Sequence, residues 1–472
     1  SGIGEIMFLG RKNELLELNK KYEMSRSQLV VVYGRRRIGK SELLRHFCHS
    51  KPKLMFEGLE SQPQQVQIQN VLNMLSVQLK NPFLTKLSLT SWNEVFQLLT
   101  DEIDKRKEKL IIVFDEFQWM ANLRSPLVSL LKLYWDNHWK HKNIMIVLCG
   151  SVATFMVKKV IQSKALYGRI NVEICLGGFK PSEARRFLKN RGEWEVLRYL
   201  IIMGTIPKYL EEIDQNRSLA ANLNQLFFTK NGFFVGELEK VFFSQFREAQ
   251  TYKKIITVLA TGNYSLSEMS KKIKITSGGG LKSYLSNLEL TGFVRSYTSL
   301  NSKGNRNQKY KLFDEFLNFY FKYMMPNNRQ ISQNTNQQLY NLLVLPHWQP
   351  WLGVAFESFC LKHAMVIAEV AGFAEEVVLF SPLFGGQDKK FQIDLIYQRS
   401  NNVITICEIK YLSEAVGTWI IPEMEKKLNL FKGSKKQTIE RMLIAPMGAD
   451  KHLMDAGYFH HIVDMKAIFS VT

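Results

Sequence analysis

Residues 28–48, QLVVVYGRRRIGKSELLRHFC, constrain the fold more than any other stretch. Residues 29–33 are apolar or aromatic and read as a buried strand. Gly34 opens a turn, and Gly34-Arg35-Arg36-Arg37-Ile38-Gly39-Lys40-Ser41 satisfies G-x-x-x-x-G-K-[ST]. Glu42 follows, and Leu43, Leu44 and Phe47 mark the apolar face of a helix. Strand, glycine-bounded loop and helix, in that order, make a phosphate cradle. Gly34 and Gly39 let the backbone come close to an anion, so that N–H groups and a helix N-terminus face it. Lys40 is expected to reach the β- and γ-phosphates of ATP, and the Ser41 hydroxyl to hold Mg²⁺. The whole loop, Gly34 to Glu42, is therefore the candidate nucleotide contact.

A chain of 472 residues is too long for one core, so several domains are expected. No apolar run of about 18 residues occurs, which excludes a predicted membrane span. The N-terminus has no secretory pattern, and residues 1–6, ahead of Met7, stay out of the fold reasoning. Cys48, Cys149, Cys175, Cys360 and Cys407 lack metal-ligand spacing; buried, reduced thiols in a cytoplasmic protein are expected. The net charge of +20 is unevenly placed. Residues 327–472 carry 14 Lys/Arg against 14 Asp/Glu, whereas residues 245–326 carry 13 against 5. That local excess suits a DNA partner, with generic solubility as the plain alternative.

Several further pieces fall around the loop. Phe8-Leu9-Gly10-Arg11 precedes a short helix and is expected to cover the nucleotide base, with Gly10 and Arg11 as contacts. Residues 110–116, LIIVFDE, read as a fully buried parallel strand with two acids at its C-terminal edge, where open α/β sheets bind ligands. Asp115 is the candidate Mg²⁺ ligand and Glu116 the residue that polarises the attacking water. A second apolar strand, 144–148, leads to Ser151, which either senses the γ-phosphate or caps a helix. Arg169, in LYGR, is a candidate arginine finger, in cis or across a subunit interface.

FLGRKNEL, YGRRRIGKSELL, LIIVFDEFQWM, LCGS, LYGR and MGTIPKYL occur in that order over about the first 210 residues. Together they resemble the prokaryotic, AAA-related and STAND-like P-loop ATPases often called archaeal-type ATPases. The resemblance implies ATP/ADP binding, ATP hydrolysis and a homo-oligomer formed through the ATPase domain. It also implies a nucleotide sensor at Pro207, although Met203 stands where the family usually has a glycine.

Residues 251–322 change character. Three helical segments, the second opening on Ser265-x-x-Glu268, precede a predicted hairpin. This order reads as a winged helix-turn-helix. Lys282, Ser283 and Ser286 would face a groove and Lys303 and Arg306 would meet phosphates; protein packing is the other use of such a domain. Residues 327–341, rich in Asn and Gln, read as a linker. Beyond it, Glu357 lies in a helix, Asp394 in the predicted strand FQIDLIY (391–397), and Glu408 and Lys410 on a second strand. Side chains alternate along a strand, so Glu408 and Lys410 share a face, and Asp394 can join them. Asp394, Glu408-x-Lys410 and Glu357 resemble the PD-(D/E)xK restriction-endonuclease fold over about residues 348–468. The resemblance implies a Mg²⁺ or Mn²⁺ site with Asp394 and Glu408 as ligands, or a non-cleaving copy of one.

The predicted architecture is thus α/β: a P-loop NTPase parallel sheet (7–176), a helical lid (177–245), a winged helix (246–326), a linker (327–345) and a restriction-endonuclease-like domain (346–472). The expected function is an ATPase acting on DNA; the alternative is a nucleotide-switched signalling or scaffold ATPase.

Overall fold

Apolar runs that alternate with amphipathic helices are stable as parallel strands buried on both faces. In the computed structural model, β1 (Gln28–Tyr33), β2 (Lys53–Glu57), β3 (Leu110–Asp115), β4 (Ile144–Gly150) and β5 (Val172–Cys175) form such a sheet. Their order is β2-β3-β4-β1-β5, and every pairing is parallel. The structure describes residues 8–122, 125–246, 248–274, 279–297, 308–384, 392–431 and 437–471. The chain divides into two units, Ser1–Gly177 and Gly178–Thr472, and the sheet belongs to the first.

The order matters for function. The strand that feeds the phosphate loop, β1, neighbours β4, and β4 neighbours β3. The C-terminal ends of these three strands therefore lie side by side on one edge. The core beneath them is aromatic: Trp92, Phe96, Phe114 and Trp139 are fully buried. The helix Trp92–Asp104 starts from a complete capping box between Ser91 and Glu94. β5 is short. Asn171 spends its side chain on the ladder, its Oδ1 accepting from Leu29 N at 2.7 Å, and regular pairing starts one residue later.

The second unit opens with five helices, Pro181–Phe187, Glu193–Met203, Pro207–Glu211, Leu219–Phe227 and Glu237–Gln245. Three more follow, Ala249–Leu259, Leu266–Ile273 and Gly279–Leu290. They lead into an antiparallel pair, β6 (Val294–Tyr297) and β7 (Lys309–Leu312). The expected basic tip with Lys303 and Arg306 lies outside the described residues, as does Phe391. A mixed sheet ends the chain: β8 (Val377–Phe384), β9 (Gln392–Arg399), β10 (Val403–Ile409), β11 (Thr438–Ile444) and β12 (His461–Val463), ordered β12-β11-β10-β9-β8. β8, β9 and β10 pair antiparallel, and β10, β11 and β12 parallel.

Two expectations need correction. Residues 327–345 are not a linker. They form two short helices, Asn328–Gln333 and Leu339–Leu343, and Asn334 between them is 5% exposed. The Asn334 Nδ2 donates to Phe228 O at 2.6 Å and to Gln337 O at 2.8 Å. Asparagines that read as solvated instead satisfy buried main-chain groups. The segment belongs to the same compact unit as its neighbours. Among the cysteines, all five are free, but only Cys48, Cys149, Cys360 and Cys407 are buried. Cys175 is exposed because β5 is an edge strand. Among the described residues, no single helix is long and apolar enough to cross a membrane.

Candidate functional site

Gly34 must be a glycine: a Cβ there would stand 2.4 Å from the Leu176 carbonyl oxygen. Gly39, at φ 89°, turns the chain through the left-handed region into the helix Lys40–Cys48. Arg37 also adopts a left-handed conformation, at φ 70°. Lys40 is buried, and its ammonium curls back over the loop, donating to Gly34 O at 3.0 Å and Arg35 O at 2.9 Å. Burial pulls its pKa down, against the opposing pull of Glu116 and Asp115. From the next position, Ser41 Oγ donates to Asp115 Oδ2 at 2.5 Å. The loop and the end of β3 are thereby joined.

Glu116 follows β3 in a left-handed conformation, φ 48°. Its Oε2 accepts from Ser151 Oγ at 2.6 Å and from Gln118 Nε2. Ser151, fully buried just past β4, is placed there by the strand order. Phosphate loop, acids and serine thus meet at the C-terminal edge of the sheet. Arg11 is buried, and its Nη2 donates to Ile38 O at 2.9 Å, which ties Gly10-Arg11 to the loop. Phe8 stacks on His46, ring centroids 4.2 Å apart.

A cavity of about 560 Å³ opens at this edge. Of the residues singled out in the sequence, Arg36, Arg37, Gly39, Lys40, Ser41, Glu42 and Glu116 line it. Sequence reasoning missed Arg45, Glu57, Gly58, Leu59, Glu60 and Trp119 on the wall. Glu57 pairs in register with Asp115, and its pKa is raised by burial and then by Asp115 and Glu116. KLMFE ends in an acid at a strand edge, as LIIVFD does, and that was the available signal.

Arg169 Nε and Nη2 donate to the two carboxylate oxygens of Asp136, each at 2.8 Å. Its guanidinium is committed to an internal pair, so it is not a free finger in this structure. Pro207 is buried at the first turn of the helix Pro207–Glu211, in the second unit.

In the second unit, the register from Ile404↔Gln398 to Cys407↔Leu395 sets Asp394 opposite Glu408 one step on. Lys427, from the helix Ile421–Leu430, places Nζ 2.7 Å from Glu408 Oε2 and 3.6 Å from Asp394 Oδ2. The two carboxylates are therefore no farther apart than the sum of these distances. Lys410 Nζ lies 3.2 Å from Glu408 Oε1 and 2.7 Å from Glu423 Oε2. Glu357 is pushed up to about 7, by burial first and then by Asp394, with Lys311 and Lys427 opposing. The four predicted residues, Glu357, Asp394, Glu408 and Lys410, are brought together, but around lysines. Among the described residues, no group of three or more His, Cys, Asp or Glu is spaced to hold a metal ion. As folded, the cluster does not fit a divalent ion. Lys427 and Lys311 were missed. Glu423 and Lys427, four apart on one helix face, were the legible signal for Lys427.

The parallel sheet and the joined loop–acid site define a P-loop ATPase domain. Residues 8–213 match the family described as an ATPase domain predominantly from Archaea. An uncharacterized protein of Methanocaldococcus jannaschii is 26% identical over 329 residues, 69% of this chain and 71% of the relative. An uncharacterized ATP-binding protein of the same organism is 42% identical over 48 residues, 10% of this chain and 81% of the relative. Among solved structures, a Walker-type ATPase of Pyrococcus abyssi shares the fold with a TM-score of 0.50 and 24% identity, over 67% of this chain and 96% of that one.

Proposed function

We propose that the chain binds and hydrolyses ATP and that its second unit engages DNA. One arrangement carries the first part: Ser41 bonded to Asp115, with Glu116 held beside it by Ser151. The Ser41 hydroxyl and the Asp115 carboxylate are hard oxygen donors side by side, a set that fits Mg²⁺. When bound, that ion neutralises charge on the β- and γ-phosphates. Lys40 exchanges its two carbonyl bonds for phosphate oxygens. Glu116 orients the attacking water, and Ser151 and Gln118 aim its carboxylate. The ATP-binding description of one relative supports the nucleotide. Lys40→Ala is expected to abolish ATP binding, and Glu116→Gln to keep binding and lose turnover. Unchanged turnover in Glu116→Gln removes it from the water-activating role.

For DNA, the basic balance of residues 245–326 and the order of three helices and an antiparallel pair support the winged-helix reading. Lys282, Ser283 and Ser286 are exposed on the third helix. The sheet that pairs Asp394 with Glu408 supports a restriction-endonuclease-like reading, a site facing phosphodiester groups. The position of Lys427 favours a second unit that does not cut DNA in its resting state. A nuclease assay on single-stranded, duplex and branched DNA and RNA, with and without ATP, tests this. Cutting that needs no ATP and is abolished in Asp394→Ala rejects the non-cleaving resting state.

A further inference from the structure

Lys427 stands between the two carboxylates that a divalent ion would share, 2.7 Å from Glu408 and 3.6 Å from Asp394. Lys410 holds the other Glu408 oxygen at 3.2 Å, and Gln392 Nε2 donates to Asp394 Oδ1 at 2.9 Å. Lys311, on β7, interacts electrostatically with Glu357 and Asp394, although burial pulls its pKa down. Lys427 and Lys410 therefore balance Asp394 and Glu408 from within the chain. Balance is needed, since Glu408 is only 1% exposed and an unpaired buried carboxylate is costly.

We infer that Lys427 is a built-in counter-ion that keeps divalent cations out of the Asp394–Glu408 site until its ammonium is displaced. The inference rests on reading these carboxylates as part of a phosphodiester site. A divalent ion needs carboxylate oxygens at about 2.0–2.6 Å. Lys427 already sits against one oxygen from each acid, and two cations on the same oxygens repel strongly in a poorly solvated site. The competitor able to draw the ammonium away is a nucleic-acid phosphate, which offers it another charge-assisted bond. Glu423, one turn before Lys427, holds Lys410, so this one helix engages both Glu408 and the lysine beside it.

Mn²⁺ titration of the full chain without nucleotide, followed by electron paramagnetic resonance, tests the inference. Wild type is expected to show no Mn²⁺ site that depends on Asp394. Lys427→Met is expected to acquire one, at least about tenfold tighter than any in wild type. Lys427→Met combined with Asp394→Asn abolishes it again, and Lys427→Arg, which keeps the cation, behaves as wild type. An Asp394-dependent site of equal affinity in wild type and Lys427→Met overturns the role of Lys427 but leaves the metal reading of the acids standing. No new site in a Lys427→Met chain whose circular dichroism matches wild type overturns both. If Lys427→Met fails to fold, the comparison of wild type with Asp394→Asn still decides, because a tight Asp394-dependent site in wild type refutes the inference.

Discussion

Glu357 shows how one side chain reports on its surroundings. Its carboxyl, half-buried and facing Asp394, Glu408, Lys311 and Lys427, is pushed up to about 7 from an ordinary value of 4.5. Between those values the folded chain holds a proton that the unfolded chain has released. Stability from this group is therefore present at low pH and disappears as pH rises through that window. Glu357→Gln, neutral throughout, is expected to flatten that decline. The melting temperature of the variant should rise relative to wild type between about pH 5 and pH 8. An equal difference at both ends would show that Glu357 titrates normally.

At the level of elements, the Asn-rich segment makes the same point for the main chain. Asn334 bonds Phe228 and Gln337, and Asn224 accepts from Tyr340 N and donates to Asn341 Oδ1, each at 2.9 Å. These bonds fasten Asn328–Gln333 and Leu339–Leu343 to the helix Leu219–Phe227. Asn334→Ala strands the buried Phe228 carbonyl and is expected to cost about 1–3 kcal/mol in urea unfolding of the second unit. A cost below about 0.5 kcal/mol, the level of an ordinary surface change, would mean that the segment behaves as a linker after all.

Over the whole molecule, charge is the organising quantity. The excess of +20 lies entirely before residue 327. If residues 245–326 meet DNA, affinity should fall steeply with salt. Neutralising Lys282, Lys303 and Arg306 together should reduce the slope of log affinity on log salt by about 0.9 for each DNA phosphate that no longer has a cationic partner. An unchanged slope in the triple variant assigns DNA binding to another surface.

What could be read from the amino acids was chemistry with a local signature. A phosphate loop needs glycines and a lysine at set spacing, so Gly34 to Ser41 announced itself. A strand buried on both faces needs a continuous apolar run, so the acid ends Asp115 and Glu116 stood out, and two-residue alternation put Glu408 with Lys410. The rest depended on partners far apart in the chain. Strand order brought Ser151 to Glu116 and Glu57 to Asp115. Packing gave Arg169 to Asp136 and set Lys427 between Asp394 and Glu408. Hydrogen bonds and ion pairs act over about 3 Å, whatever the distance along the chain, so only the folded structure decides which charges meet.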